Sequence, residues 1–308
     1  MRDVTNKVAV ITGGAGGIGK ALGRRFGEAG MKVVLADVLP EPLQAAAAEL
    51  ADQGVDCAGV VTDVSSYESV CALRQAAVET YGGVHVLCNN AGVGSGGLGH
   101  IWEHHLVDWR WSYDVMVFGV IHGLNAFVPT MLEQDAEGHV VNTVSTNGAF
   151  TPLVTSGAYA SSKAAITTIT ECLWGQLRRI DAKVSASVLI PSTWSPGVLN
   201  TGIWKAGSNR PDRYARQDDP EPPGGRDALA DYQRIMEAKG LAVEFAPLEE
   251  VAELCLSGIL SDTFWIHVPS PTHHDLLRRR VASQIDQAPP AYLLAGTDMP
   301  APPPRADE

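Results

Sequence analysis

The chain has 308 residues, of which 45% are hydrophobic and 19% are charged. This composition is that of a globular protein with enough apolar surface for a large core, and it disfavours a disordered chain. The net charge of −12 is opposite in sign to the basic surface that neutralises a phosphate backbone, so no nucleic-acid partner is expected.

The five cysteines have no paired spacing, and we expect reduced core residues in a cytoplasmic protein. No apolar stretch reaches the roughly 18 residues that a membrane span requires, and no secretory leader is evident, so no membrane partner is expected. The nine histidines show neither H-E-x-x-H nor Cys/His ligand spacing, and no metal site is predicted.

Apolar, β-branched runs alternate with segments of helical spacing along most of the chain. The predicted strands cover residues 7–12, 32–37, 58–62, 84–88, 139–144, 184–190 and 264–268. The predicted helices cover residues 18–29, 41–53, 66–81, 106–133, 158–179, 249–260 and 272–285. The pattern predicts an α/β fold with a doubly wound, parallel seven-stranded sheet, a Rossmann fold.

The regular pattern stops between residues 192 and 240, although residues 227–238 have helical spacing. We predict a single domain with a core at 1–191 and 241–268, a lid at 192–240, a helical extension at 269–287 and a flexible tail at 288–308. Four apolar lid residues could line a substrate pocket or anchor the lid to the core, and both interpretations stay open. They are Trp194, Leu199, Ile203 and Trp204.

A glycine-rich segment, T-G-G-A-G-G-I-G at 12–19, follows the first predicted strand and opens the first helix. Glycines let a backbone approach a pyrophosphate at the positive end of a helix, which makes Gly13, Gly17, Ile18 and Gly19 candidate cofactor residues. Asp37 ends the second strand and is placed to bind adenosine ribose hydroxyls. Because its carboxylate would repel a 2′-phosphate, NAD is predicted over NADP.

Two further strand ends carry candidate cofactor residues. Asp63, followed by Val64, could accept from the adenine amino group or could serve as a helix N-cap. After the fourth strand, Asn90, Ala91 and Gly92 would let a cofactor lie close, or would form an ordinary turn.

Tyr159 and Lys163 are four residues apart, which makes them neighbours on one helical face. This spacing proves little by itself. Its value comes from Ser145, which lies fourteen residues before Tyr159 at the end of the fifth predicted strand.

Taken together and in this order, these motifs resemble the short-chain dehydrogenase/reductase (SDR) family over roughly residues 4 to 268. The resemblance implies a catalytic trio in which Tyr159 exchanges a proton with the substrate oxygen and Ser145 holds that oxygen. Lys163 would stabilise the phenolate and grip the nicotinamide ribose. Tyr159, Lys163 and Pro191 would all lie against the cofactor.

The chain departs from the family pattern at two positions. Met116 stands where the family usually has an Asn that connects the lysine to solvent, so the proton relay is either rewired, for example through Asn142, or lost. Ser192 follows Pro191 where the family commonly has Gly. Residues 264–271 and the helix after them resemble the extended C-termini of bacterial Cα-dehydrogenases of lignin-type aryl-ether alcohols.

The sequence therefore predicts an NAD-dependent alcohol dehydrogenase or ketone reductase for a bulky apolar secondary alcohol, whether aryl, alicyclic or steroid-like. The alternative is an NAD-binding sensor that kept the fold and lost turnover. The surfaces of the 106–133 helix and of the Tyr159 helix resemble those through which the family assembles, so a homodimer or homotetramer is expected.

Overall fold

A computed structural model describes residues 1–94, 100–216, 228–238 and 240–294. Its strands in chain order are β1 (Val8–Thr12), β2 (Lys32–Asp37), β3 (Cys57–Val61), β4 (Val86–Asn89), β5 (Gly138–Thr143), β6 (Val184–Leu189), β7 (Val198–Leu199), β8 (Phe245–Ala246) and β9 (Trp265–Ile266). Its α-helices are α1 (Gly17–Glu28), α2 (Pro40–Asp52), α3 (Tyr67–Tyr81), α4 (Leu106–Ser112), α5 (Gly119–Glu133), α6 (Thr146–Ala149), α7 (Gly157–Arg179), α8 (Ala228–Ala238), α9 (Leu248–Leu260) and α10 (Pro271–Ile285).

Within the described residues, seven strands form one sheet in the order β3-β2-β1-β4-β5-β6-β9, and every neighbouring pair is parallel. The predicted doubly wound, seven-stranded α/β fold is confirmed. The strand order reverses between β1 and β4, and in such sheets ligands bind at the carboxyl edge near that point. The short strands β7 and β8 pair separately.

The sheet is buried on both faces because its strands are continuously apolar. Along β1, Ala9 and Ile11 belong to a hydrophobic cluster that includes side chains of α1, α2 and α9. Val8 and Val10 point the other way, into a cluster with α3, α5 and α7. The alternation of side chains along a strand therefore fixes which helices cover which face.

The predicted helix over residues 106–133 is helical throughout but contains a π-helical turn at Tyr113–Phe118, between α4 and α5. Among the described residues, the helical stretch Leu106–Glu133 is 28 residues long and apolar enough to cross a membrane by length and composition. This differs from the expectation that no apolar stretch reaches the length of a membrane span. Core helices of globular proteins meet the same criterion, and 44% of its most apolar window is buried in this fold.

Several boundaries differ from the prediction. The last strand, β9, is two residues long. Among the cysteines, Cys172 is exposed and is therefore not the core residue that was expected. Within residues 192–240, the predicted lid, the expected helix is found as α8, and 3₁₀ turns form at Gly202–Asn209 and Asp212–Tyr214. Residues 217–227 and 239 of the lid, and residues 295–308 of the tail, lie outside the described residues.

Candidate active site

The glycine-rich turn joins β1 to α1 in a conformation that depends on its glycines. Gly17 has φ +53°, and a Cβ on Gly19 would lie 2.0 Å from the Gly13 carbonyl oxygen. By contrast, a Cβ on Gly16, the residue before α1, would meet no atom of the described residues within 4 Å. The first turn of α1 therefore begins beside open space at the carboxyl edge, a cradle that fits a pyrophosphate.

The Asp37 carboxylate lies against this turn at the end of β2. Its Oδ2 accepts a hydrogen bond from the Ala15 backbone N–H at 3.1 Å, and its Oδ1 accepts from the Leu39 N–H at 3.2 Å. Asp37 is partly exposed, so its remaining acceptor positions can bind ribose hydroxyls.

Asn90 ties the central strands together at their carboxyl ends. Its Nδ2 donates to the Thr12 carbonyl at 3.0 Å, and its Oδ1 accepts from the Thr143 hydroxyl at 3.3 Å. The Thr12 hydroxyl also accepts from the backbone N–H groups of Asn90 and Ala91. These bonds hold the Asn90–Gly92 segment close to the glycine turn.

Asp63 is not the N-cap of α3, because the Ser66 hydroxyl caps that helix by accepting from the Ser69 N–H. The Asp63 carboxylate instead accepts from the Ser65 N–H and hydroxyl, at 3.0 and 2.6 Å, and from Arg213 in the lid at 2.7 Å. Burial raises the pKa of Asp63, but these hydrogen bonds outweigh burial and the net effect is a lowered pKa.

Val64 presents its backbone carbonyl to the His122 ring, at 2.9 Å from Nδ1, and its side chain packs beside Gly119. Asp63 and Val64 therefore fasten the end of β3 to the lid and to α5, respectively.

Ser145 and Tyr159 approach each other where β5 ends and α7 begins. Ser145 caps the short helix α6, with its Oγ accepting from the Asn147 N–H at 3.1 Å. Tyr159 is the third residue of α7. Burial raises its pKa, and a hydrogen bond with Ser145 acts in the opposite direction. The serine hydroxyl and the phenol can therefore both form hydrogen bonds with one substrate oxygen.

Lys163 lies one turn further along α7 and is only 3% exposed. Its Nζ donates to the Thr143 carbonyl at 2.9 Å and lies 5.6 Å from the centroid of the Tyr159 ring. Burial lowers the pKa of the ammonium to about 8. The predicted trio is thus brought together at the sheet edge that carries the glycine turn.

Met116 lies in the π-helical turn and is fully buried. Its sulfur and Lys163 Nζ are 3.8 and 3.7 Å from the position that a Cβ on Gly92 would take. Asn142, the residue considered as a substitute relay, uses its amide elsewhere: it accepts from Asn89 at 2.8 Å and donates to Thr170 at 2.9 Å. These bonds do not support a relay through Asn142.

The four apolar lid residues have different surroundings. Ile203 lies beside Gly94, and Leu199 packs against the core cluster of α1 and α9. Trp204 contacts other residues of the predicted lid: its Nε1 donates to the Leu199 carbonyl at 2.9 Å, and its ring lies 5.7 Å from that of Tyr232 in α8. Trp194 is 61% exposed.

Pro191 and Ser192 lie between β6 and the lid. The Ser192 hydroxyl donates to the Ile190 carbonyl and accepts from the Val268 N–H at 2.8 Å, which ties the ends of β6 and β9 together. The serine that replaces the usual glycine is therefore accommodated by hydrogen bonds.

Three exposed apolar side chains in or beside the segment that leads into α7 were not identified from the sequence. Leu153 and Val154 lie in the loop between Ser145 and Tyr159, and each is 51% exposed. Ile101 is 53% exposed and lies 3.0 Å from the position of a Cβ on Gly157, at the start of α7. They lie in irregular segments, where hydrophobic periodicity gives no signal.

Comparison with known proteins places the chain in a family. Residues 7–208 match the model of the short chain dehydrogenase family. An SDR from Burkholderia phymatum, solved in complex with NAD, has 36% sequence identity and a TM-score of 0.82, over 94% of this chain and 98% of that chain.

Two curated relatives match nearly full length. A C alpha-dehydrogenase of Sphingobium sp. is 31% identical over 94% of this chain and 89% of the relative. A CLA biosynthesis dehydrogenase/reductase of Lactiplantibacillus plantarum is 26% identical over 96% of this chain and 99% of the relative. The chain belongs to the short-chain dehydrogenase family of oxidoreductases.

Proposed function

We propose that this protein transfers hydride between NAD and a bulky apolar secondary alcohol or ketone, with Ser145, Tyr159 and Lys163 as its catalytic residues. The observation that carries the proposal is the position of the trio: the Tyr159 phenol lies beside Ser145, which acts to lower its pKa, and beside the Lys163 ammonium, at the same sheet edge as the glycine cradle. The NAD complex of the Burkholderia relative supports the choice of cofactor.

The chain's own residues would transfer the proton of the substrate hydroxyl group. In the oxidative direction Tyr159 removes the alcohol proton, and in the reductive direction it protonates the carbonyl oxygen, while Ser145 holds that oxygen by a hydrogen bond. Bound NAD would accept the hydride, and in its oxidised form it carries the positive charge that favours the phenolate. Because burial raises the pKa of Tyr159, the phenol depends on that charge and on Lys163 to act as a base near neutral pH.

The cofactor would lie along the carboxyl edge, from Asp37 and Asp63 at its adenosine end to Asn90–Gly92 and Pro191 at its nicotinamide end. In this proposal residues 1–191 and 241–268 form the binding core, residues 192–240 the lid and residues 269–287 the helical extension. The Asp37 carboxylate favours NAD because a 2′-phosphate beside it would be repelled.

An apolar substrate suits the surroundings of Tyr159. Ile101, Leu153 and Val154 expose apolar side chains around the start of α7, and Ile203 approaches Gly94 from the lid. Such a surface favours an aryl, alicyclic or steroid-like alcohol over a small polar one. The similarity to a C alpha-dehydrogenase supports aryl alcohols as the first substrates to test.

The test is NADH formation from NAD with a panel of aryl, alicyclic and steroid alcohols at alkaline pH. We expect turnover with at least one of them, and a loss of about 10²–10⁴-fold in Tyr159→Phe, with NAD affinity retained. Tyr113→Phe is the matched control, because the Tyr113 hydroxyl donates a hydrogen bond to Ser161, which lies on α7, the helix that carries Tyr159. If no alcohol in the panel reduces NAD, the proposed activity is wrong.

The second candidate is an NAD-binding sensor, favoured by the apolar, buried Met116 beside Lys163 at the position where the family usually has an Asn. Calorimetry that finds NAD binding, together with the absence of turnover in the panel, would support it.

A cytoplasmic location and a homodimer or homotetramer stay predictions. On the Tyr159 helix, whose surface is predicted to take part in assembly, Ile166 and Leu173 are buried in the chain's own core.

A further inference from the structure

The front of the lid crosses the cofactor edge. The Thr201 Cβ lies 3.4 Å from the position of a Cβ on Gly17, in the glycine turn. Two residues later, the Ile203 carbonyl oxygen lies 2.9 Å from the position of a Cβ on Gly94, after β4. The lid therefore extends from the glycine turn to the loop after β4, on both sides of the point where the strand order reverses.

Residues 210–216 of the lid are held by a buried carboxylate. The Asp108 side chain in α4 is 1% exposed and is bound by Arg210 and by Arg216, each 6% exposed. Arg216 reaches Asp108 Oδ2 at 2.8 Å, and the Arg210 guanidinium lies over the Trp111 ring, 4.6 Å from its centroid. Breaking a buried ion pair leaves a charge without compensation, so this end of the lid is strongly held.

Tyr214 adds another attachment between these two arginines. It is 6% exposed, and its hydroxyl donates to Asp114 Oδ2 at 2.8 Å. Its ring lies 6.4 Å from that of Trp111. Residues 210, 214 and 216 are thus fixed to α4 and to the π-helical turn, which leaves little freedom for the backbone of Arg213.

Arg213 points from this fixed segment to the end of β3. Its Nη2 donates to Asp63 Oδ2 at 2.7 Å and to the Ser65 hydroxyl at 2.8 Å, and its side chain is 51% exposed. Strand β3 pairs with β2 in a register that sets Val61 opposite Asp37. Arg213 therefore stands at the adenosine end of the edge, with half of its surface open.

We propose that Arg213 is a cofactor-binding residue that recognises the adenosine end of NAD, a role that rests on the proposed function. A guanidinium plane stacks on aromatic faces, and the adenine ring offers such a face. The same guanidinium orients the Asp63 carboxylate. Lid and cofactor are then linked through Arg213, and the Asp108 cluster sets the position from which it acts.

The experiment is titration calorimetry of the full chain with NAD and with ADP-ribose, which has the adenosine end but no nicotinamide. In Arg213→Gln we expect both dissociation constants to rise by about tenfold, and by the same factor. Arg234→Gln in α8, which removes an exposed lid arginine of the same charge, should leave both unchanged. Equal melting temperatures for the variants show that the fold is intact.

Unchanged affinity for both ligands in Arg213→Gln, or a loss for NAD but not for ADP-ribose, would overturn the role at the adenosine end. If the parent protein binds NAD and oxidises alcohols in either of those cases, only the inference about Arg213 fails. If the parent binds neither ligand, the proposed function fails with it.

Discussion

The Lys163 ammonium and the Met116 thioether face the same space beside Gly92, 3.7 and 3.8 Å from the position of a Cβ there. A thioether is at best a weak acceptor and donates nothing, so it does little to stabilise a buried charge. Burial lowers the pKa of Lys163 to about 8, which brings the loss of its proton into the pH range where alcohol oxidation is measured.

Met116→Asn should move the alkaline limb of the kcat profile to higher pH without abolishing turnover. An amide oxygen beside the ammonium favours the charged form, so the pKa of Lys163 rises and its proton is lost later as pH increases. We expect a shift of about one pH unit, measured from pH 6 to 11 with saturating NAD and substrate. Met116→Leu, which stays apolar, should keep the parent profile. Identical profiles for all three proteins would count against an influence of residue 116 on proton transfer at Lys163.

The glycine turn offers a test in which two nearby glycines are predicted to differ. In Gly19→Ala the new methyl group would collide with the Gly13 carbonyl oxygen, whereas in Gly16→Ala it would meet nothing within 4 Å in the part of the chain that the structure describes. Gly19→Ala should therefore lower the melting temperature and weaken NAD binding, while Gly16→Ala keeps the parent melting temperature. If Gly16→Ala weakens NAD binding at an unchanged melting temperature, the cofactor passes over Gly16. Equal melting temperatures for both variants would contradict the turn geometry.

Asp37→Asn should reduce the preference for NAD over NADP by about tenfold, because it removes a negative charge next to the 2′-phosphate while keeping an oxygen that can accept from Ala15. The measurement is the ratio of the two dissociation constants, by calorimetry. Asp52→Asn removes the same charge from the exposed end of α2 and should leave the ratio unchanged. A parent protein that binds both cofactors equally would refute the assigned role of Asp37.

The sheet and the convergence of Ser145, Tyr159 and Lys163 could be predicted because both begin from local sequence patterns. Continuous apolar runs define buried strands, and the spacing of Tyr159 and Lys163 places both on one face of a helix. Strand ends then converge through the topology rules of parallel sheets, which brings Ser145 and Asp37 to the same edge. The two-residue β9 and the four-residue α6 were less visible, since such short elements hardly show a period.

The lid contacts could not be predicted. Arg213 meets Asp63, and Arg216 meets Asp108, across separations of 150 and 108 residues. Charged side chains in an irregular segment have no period that would identify their partners. The π-helical turn around Met116 was equally hidden, because the apolar pattern of the 106–133 segment is the same with and without it.

The burial of His139 leads to a prediction of how the free energy of unfolding depends on pH. It is fully buried in β5, and its Nε2 lies 2.6 Å from the Ser187 hydroxyl, which itself donates to the Thr263 carbonyl. Ser187 therefore accepts from Nε2–H, and Nδ1 is a buried nitrogen for which the described part of the chain offers no hydrogen-bond partner. A proton on Nδ1 would have no acceptor, and burial lowers the pKa of His139 from 6.5 to about 4.

Because the folded pKa lies below the unfolded one, the unfolded chain binds the extra proton first as pH falls. The contribution of neutral His139 to stability is complete above pH 6.5 and is lost progressively down to about pH 4, a change of up to about 3 kcal/mol. Urea unfolding between pH 4 and 7 should therefore show a shallower decline for His139→Phe than for the parent. His100→Gln, at an exposed position, should follow the parent curve. Parallel declines for His139→Phe and the parent would mean that His139 takes up its proton in the folded state as easily as in the unfolded one.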